Sequence, residues 1–333
     1  GSAGWGCEGL SREQARYAFD QIMDGQLPLE KVVELVIHLR DKGESVEELI
    51  GAAESMRARV TRIDCEDDCI DTCGTGGDGI STFNVSTTAA IVAASAGAVV
   101  AKHGNQSTTR VSGSTEVLRE LGIDVDAPVS TVEKSLREFR IGYLNARLLH
   151  PAMKNAVPVR AAIPTRTIFN LMGPLTNPAG AKRQLLGVPH ESLMEKMAMV
   201  LRSLGAAHAW VVHGGDGLCD VTATTSTKVI ALKDGQLNAF EVSPEIFGLS
   251  RCKLEELCVT TPQASARVVL DVLSGVSGGP RDHTLLNSGA ALVVAGVADS
   301  LQDGIAMSME ALDSGVALVT LENWREASRS CHS

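Results

Sequence analysis

Between Asp71 and Asn105 the chain concentrates residues suited to holding a phosphorylated ligand. The run Asp71-Thr72-Cys73-Gly74-Thr75-Gly76-Gly77-Asp78-Gly79 places four glycines in six positions. Glycine lets the backbone adopt positive φ and approach a ligand closely. The next residues, Ser81-Thr82-Phe83-Asn84-Val85-Ser86-Thr87, open a helical pattern rich in short donors. Amides of such a loop and of the helix start behind it form an anion site. A plain tight turn would explain one glycine cluster, but not the hydroxyl-rich helix start that follows. No Gly-Lys-Ser/Thr follows, so the P-loop pattern is missed. The loop is also denser in glycine than a dinucleotide-binding fingerprint. A second group, Lys102-His103-Gly104-Asn105, comes directly after the apolar run Ala98-Val99-Val100-Ala101. A cation at a strand's carboxyl end sits where open α/β sheets bind ligands. Ser112-Gly113-Ser114 opens a further helix and offers a second phosphate perch.

These groups need a scaffold, and the surrounding pattern supplies one. Residues 11–60 read as helices, with apolar residues at helical spacing in 13–23 and 29–39, and Ser45 with Glu48 forming a capping box. From residue 69 short apolar runs alternate with helical patterns. Strands are expected at 70–73, 98–101, 209–213 and 229–232, and helices at 88–96, 191–204, 285–298 and 303–314. Asp234-Gly235 between two apolar runs marks a hairpin. The expected class is α/β: a small N-terminal helical domain and a large domain whose sheet carries helices on both faces. At 333 residues the chain has room for about two domains.

Composition excludes some functions. A formal charge of -10 argues against a general nucleic-acid or anionic-membrane binder. Apolar runs are broken before they reach spanning length, and nothing resembles a signal peptide. The eight cysteines are scattered through the sequence. Cys65, Cys69 and Cys73 recur every four residues, but no His or CxxC pair completes a tetrahedral metal set. Reduced thiols in a cytoplasmic protein are expected.

Taken together, these blocks resemble the anthranilate phosphoribosyltransferase family. GTGGD at 74–78, F-N-x-S-T at 83–87 and K-H-G-N at 102–105 stand at the family's spacing. His150-Pro151-Ala152-Met153-Lys154, the block Arg166-Thr167-Ile168-Phe169-Asn170-Leu171-Met172-Gly173-Pro174-Leu175-Thr176-Asn177-Pro178, and Leu286-Asn287 extend the likeness. It runs from about residue 10 to 325. The resemblance implies transfer of the 5-phosphoribosyl group of 5-phosphoribosyl 1-pyrophosphate to the amine of anthranilate, the second step of tryptophan biosynthesis from chorismate. It implies a helical domain over 1–68, completed by a segment near 166–185, and a donor-binding α/β domain over 69–333 with a mixed, mainly parallel sheet. It places the donor on Gly74, Thr75, Gly77, Asp78, Ser81, Thr82, Asn84, Ser86, Thr87, Lys102 and Ser114. It places the acceptor on Gly74, His103, Asn105, His150 and Arg166, with the Arg166 guanidinium on the carboxylate. It gives magnesium to Ser86, Asp220 and Cys219. No general base is assigned, because the aromatic amine is already uncharged. A homodimer through the helical domain and closure of the domains over substrate are also implied.

The sequence departs from the family pattern at three places. Cys219-Asp220 stands where an Asp-Glu pair is usual, and a thiol is a poor magnesium ligand. Thr225-Ser226 stands where Gly-Pro is frequent, and Asn145-Ala146-Arg147 replaces an apolar segment near the acceptor. Three alternatives stay open at this point: the same donor with another amine or hydroxyl acceptor, a pyrimidine nucleoside phosphorylase, and a ligand-binding paralogue without turnover.

Overall fold

The structure is a computed structural model that describes residues 9–65, 68–106, 111 and 113–329. Ser112, Cys7 and Cys331 lie outside the described residues.

Three helices open the chain: α1 (Arg12–Met23), α2 (Leu29–Lys42) and α3 (Val46–Arg57). Both α1 and α3 start with capping boxes, Ser11 with Gln14 and Ser45 with Glu48. Their apolar stripes, including Phe19, Ile22, Leu35, Leu39, Leu49 and Ile50, are buried.

The rest of the chain builds a seven-stranded sheet. Its strands are β1 (Cys69–Asp71), β2 (Val99–Gly104), β3 (Ile141–Asn145), β4 (Arg183–Gly187), β5 (His208–Gly214), β6 (Thr227–Lys233) and β7 (Gln236–Val242). The spatial order is β3-β2-β1-β4-β5-β6-β7. Neighbours from β3 to β5 pair in parallel, while β5-β6 and β6-β7 are antiparallel. The hairpin at Asp234-Gly235 has φ of 51° and 77°, so both central residues are left-handed, as its tight turn requires.

The helices between and after the strands are α4 (Val85–Ser95), α5 (Ser114–Glu120), α6 (Val129–Phe139), α7 (Ala146–Leu149), α8 (Val157–Ala162), α9 (Ile168–Met172), α10 (Met194–Ser203), α11 (Pro262–Leu273), α12 (Gly279–Ala295), α13 (Leu301–Asp313) and α14 (Val316–Arg329). Side chains alternate along β5: Trp210 and Val212 join the core formed with α4, α11, α12, α13 and α14, whereas Ala209 and Val211 join the core of α1, α2, α3, α8, α9 and α10. Both faces are therefore covered.

Several element boundaries shift from the sequence expectation, among them α12, which runs from Gly279 to Ala295 rather than over 285–298. The β1 strand ends at Asp71, because Cys73 already belongs to the glycine loop. The helix expected from Thr88 begins at Val85, because Asn84 caps it by accepting the Thr87 amide at 3.0 Å. A 3-10 turn, Glu191–Leu193, precedes α10.

The chain leaves β1 for β2 on one side, then returns to β4 on the other. The crevice at the carboxyl ends of β1 and β4 is thus a switch point of the topology, where such sheets bind ligands.

Candidate active site

A cavity of about 260 Å³ opens at that switch point. Its floor is the loop after β1. Gly76 and Gly77 take φ of 64° and 89°, left-handed conformations that glycine adopts without a Cβ penalty. The loop is sewn to β4 by the Thr75 amide donating to the Gly187 carbonyl at 3.0 Å. Gly187 is required there by contact rather than by φ: a Cβ on it would lie 1.7 Å from the Cys219 carbonyl oxygen.

The amino-terminal turn of α4 forms a second wall, through Asn84, Val85, Ser86 and Ala89. Lys102, at the end of β2, is 2% exposed and donates from Nζ to Ser86 Oγ at 3.2 Å. Burial pulls its pKa down, against the attraction of Cys73, Asp71 and Asp220. A desolvated ammonium at the positive end of a helix is poised for an anion. Asp71 organises the floor from beneath. It is fully buried, accepts the amides of Cys73 and His103 and the Asn177 side chain, and burial pushes its carboxyl up to about 6.

The opposite wall comes from the bundle side. Arg160 of α8, Phe169 and Asn170 of α9, and Gly173-Pro174 line it. Arg160 is partly buried, and its pKa is lowered by desolvation alone. Among the described residues no carboxylate pairs with it. His103 also lines the cavity, and its Nε2 lies 3.0 Å from Nε2 of His150. Burial pushes His103 down to about 3 and His150 down to about 4, so both imidazoles are neutral at physiological pH. Among the described residues His150 Nδ1 is buried without a hydrogen-bond partner, while His103 lies beside the Gly173 backbone, which favours its protonated form without offsetting burial.

The segment carrying Cys219 and Asp220 closes the remaining side and is held from behind by α12. Asn287 accepts the Val221 amide at 2.9 Å and donates to the Val221 and His283 carbonyls, and His283 Nδ1 accepts the Ala223 amide. This accounts for Leu286-Asn287 among the sequence blocks. The Cys219 amide donates to Asp78, and its thiol donates to the Gly76 carbonyl at 3.8 Å.

Of the residues singled out in the sequence, Gly74, Thr75, Gly77, Asn84, Ser86, Lys102, His103, Asn105, Ser114, Cys219 and Asp220 line this cavity. Six do not. Asp78 ties the loop down, accepting the amides of Cys219 and Ile80. Ser81 sits where its carbonyl accepts the Val259 amide, and Thr82 is buried in a bridge to Cys258. Thr87 points into the core, because each helical residue turns by about 100° and the cavity-facing stripe is 85, 86 and 89. His150 stands behind His103 and away from the cavity surface.

Arg166 departs most from the sequence expectation. Its Nη2 donates to Glu44 Oε2 at 3.3 Å, across the junction with the bundle, and it does not line the cavity. The cation in the wall is Arg160, which sequence reasoning missed. Its available signal was modest: it is the one basic residue of a short helix with Pro158 in its first turn, ten residues after His150. Asn145 and Arg147 also act away from the cavity. Asn145 donates to the Val125 carbonyl and caps α7, Arg147 is exposed, and only Ala146 of that triplet lines the wall.

Comparison with known proteins adds independent observations. Residues 66–318 match the family model described as glycosyl transferase family, a/b domain, and residues 4–60 match its helical bundle domain. The chain is 46% identical over 321 residues to anthranilate phosphoribosyltransferase of Bradyrhizobium sp. (strain ORS 278), covering 96% of this chain and 95% of the relative. It superposes on the crystal structure of anthranilate phosphoribosyltransferase from Thermus thermophilus with a TM-score of 0.91 at 37% identity, covering 96% of each chain. The Saccharomyces cerevisiae enzyme in complex with PRPP and Mg gives 0.88 at 28% identity, covering 96% of this chain and 94% of that one.

Proposed function

The chain belongs to the anthranilate phosphoribosyltransferase family, and from that premise we propose which of its residues do the family's work. It transfers the 5-phosphoribosyl group of 5-phosphoribosyl 1-pyrophosphate (PRPP) to the amine of anthranilate, releasing pyrophosphate, in tryptophan synthesis. The observation that carries the residue assignment is the cavity that joins an anion cradle to a wall bearing the Arg160 guanidinium, which no carboxylate among the described residues pairs.

In this reading the diphosphate lies over the amides of Gly74 to Gly77 and the start of α4, with Asn84, Ser86, Lys102 and Ser114 around the phosphates. Anthranilate lies against the bundle-side wall, between His103, Asn105, Phe169 and Pro174, with its carboxylate on Arg160. Neutral His103 suits that place, because it offers the aromatic amine no competing charge. The amine attacks C1 of the ribose as the C1–O bond to pyrophosphate breaks. Loop amides and Lys102 hold the negative charge that accumulates on the leaving group, and orientation of two bound substrates supplies much of the acceleration.

Magnesium is the cofactor. The donor set fits one ion of this kind: the Ser86 hydroxyl and Asp220 carboxylate are hard oxygens on the same cavity, while Cys219 offers a thiol that is engaged with a carbonyl. When bound, the ion neutralises diphosphate charge.

The same reading includes a homodimer through the helical bundle, which presents Tyr17 and Leu29 at the surface at 68% and 42% exposure. It also includes division of the chain near residue 68 and a cytoplasmic location, supported by six free cysteines among the described residues. Turnover of anthranilate with PRPP and magnesium, followed by the change in anthranilate fluorescence, tests the assignment. Turnover of other acceptors but not of anthranilate would overturn it.

A further inference from the structure

We propose that Glu44 and Arg166 are positioning residues, forming a latch between the helical bundle and segment 165–175 that sets the acceptor wall of the cavity. The proposal rests on the reading that anthranilate lies against that wall.

Glu44 sits at the corner between α2 and α3 and is 1% exposed. Its carboxylate takes Arg166 at 3.3 Å, and its carbonyl accepts Lys196 Nζ of α10. One helical turn away, Arg40 Nη1 donates to Thr165 Oγ1 at 2.8 Å. Two contacts from α2 and its end thus grip adjacent residues of one segment. That segment leads straight into the cavity. Thr167 caps α9 together with Asn170, whose Oδ1 accepts the Thr167 amide at 3.0 Å. Phe169 and Asn170 line the wall, and Phe169 also packs edge-on against Phe19 of α1 with ring centroids 5.9 Å apart. A shift of Arg166 therefore reaches Phe169 through one turn of helix.

The pair is poorly arranged for stability alone. Among the described residues neither Glu44 Oε1 nor Arg166 Nη1, both buried atoms, has a hydrogen-bond partner, although a bidentate pair would satisfy both. Glu44 is buried while Arg166 stays partly exposed, and a single long contact with unfilled valences stabilises little, so registry is the better-attested use of such a pair.

Steady-state kinetics of Glu44→Gln, Arg166→Gln and the double variant test the latch, with donor affinity measured by calorimetry in magnesium and folding checked by thermal melts. Each single variant is expected to raise KM for anthranilate about five-fold or more, with PRPP affinity held within about two-fold. The double variant is expected to be no worse than the poorer single one, because both act along one path. Arg166→Lys, which keeps the cation, should recover part of the loss. Three results overturn the proposal: loss in the Arg166 variants with none in Glu44→Gln, additive losses in the double variant, or parallel loss of donor and acceptor binding. Arg160→Met belongs in the same series. If it too leaves anthranilate binding unchanged, the placement of the acceptor fails; if it alone acts, the latch fails.

Discussion

Replacing Arg160 by Met is the most direct probe of where anthranilate sits. The Met side chain keeps most of the apolar stem of Arg160 and deletes the guanidinium. A hydrogen bond to a charged group contributes about 1.5–3 kcal/mol. At about 1.4 kcal/mol per tenfold, KM for anthranilate should rise about 10- to 150-fold. PRPP affinity should stay within about three-fold, because Lys102, Ser86 and the loop amides lie on other elements. A second readout separates this from general damage. Arg160 is desolvated with no compensating carboxylate among the described residues, and burial lowers its pKa. Removing an unpaired, half-buried charge should therefore leave the thermal midpoint of the free protein unchanged or raised. Initial rates at saturating PRPP and magnesium give KM, calorimetry gives donor affinity, and scanning fluorimetry gives the midpoint. An anthranilate KM within about three-fold of the parent, or equal losses for both substrates, would refute the reasoning.

Three further outcomes are expected. Lys102→Met should weaken PRPP binding at least about tenfold by calorimetry, since the buried ammonium that donates to Ser86 Oγ is the cation of the cradle; undiminished donor affinity would remove Lys102 from the cradle. Cys219→Asp should lower the magnesium concentration needed for half-maximal rate and strengthen magnesium binding in the presence of PRPP; an unchanged magnesium dependence would show that Asp220 and Ser86 suffice. Stability should fall as pH drops from about 6.5 toward 4, because the unfolded chain then binds protons that buried His103 and His150, with folded values of about 3 and about 4, do not accept. That contribution is fully present above about 6.5 and is lost at up to about 1.4 kcal/mol per pH unit per histidine. Asp71, raised to about 6, acts in the opposite sense, since the folded state holds its proton between about 4 and 6. Denaturant titrations of the parent and of His103→Asn/His150→Asn should differ in slope over that window, and identical slopes would count against the buried neutral pair.

What the sequence made legible follows from how local each signal is. The Ser45–Glu48 capping box, the Asp234-Gly235 turn and the glycine loop each depend on residues a few positions apart, and each stands where expected. Side-chain direction is less local. Ser81, Thr82, Ser86 and Thr87 look alike as hydroxyl donors, but a strand-like bridge at Thr82 and the turn of α4 send only Ser86 to the cavity. The place of Arg166 away from the cavity lining has the same cause on a longer scale. Its partner Glu44 lies 122 positions earlier, and only the packing of α2 and α3 against segment 165–175 decides which of two nearby arginines is neutralised. Arg160, with no such partner among the described residues, lines the cavity.

That distinction also bears on how the cradle accommodates a thiol at position 219. The backbone of this segment is fixed by contacts that do not depend on its side chain. Gly187 presses against the Cys219 carbonyl, the Cys219 amide donates to Asp78, and Asn287 clamps Val221 by both amide and carbonyl. Asp220 is held between these anchors, so a change from carboxylate to thiol at 219 leaves its position intact. The donor loop is independently sewn to β4 through Thr75 and Gly187. Phosphate recognition, which rests on those amides and on Lys102, is therefore insulated from the substitution. Its consequence is confined to the charge and hardness offered to metal, which is why magnesium dependence, rather than donor affinity or fold stability, is the property in which Cys219 should be felt.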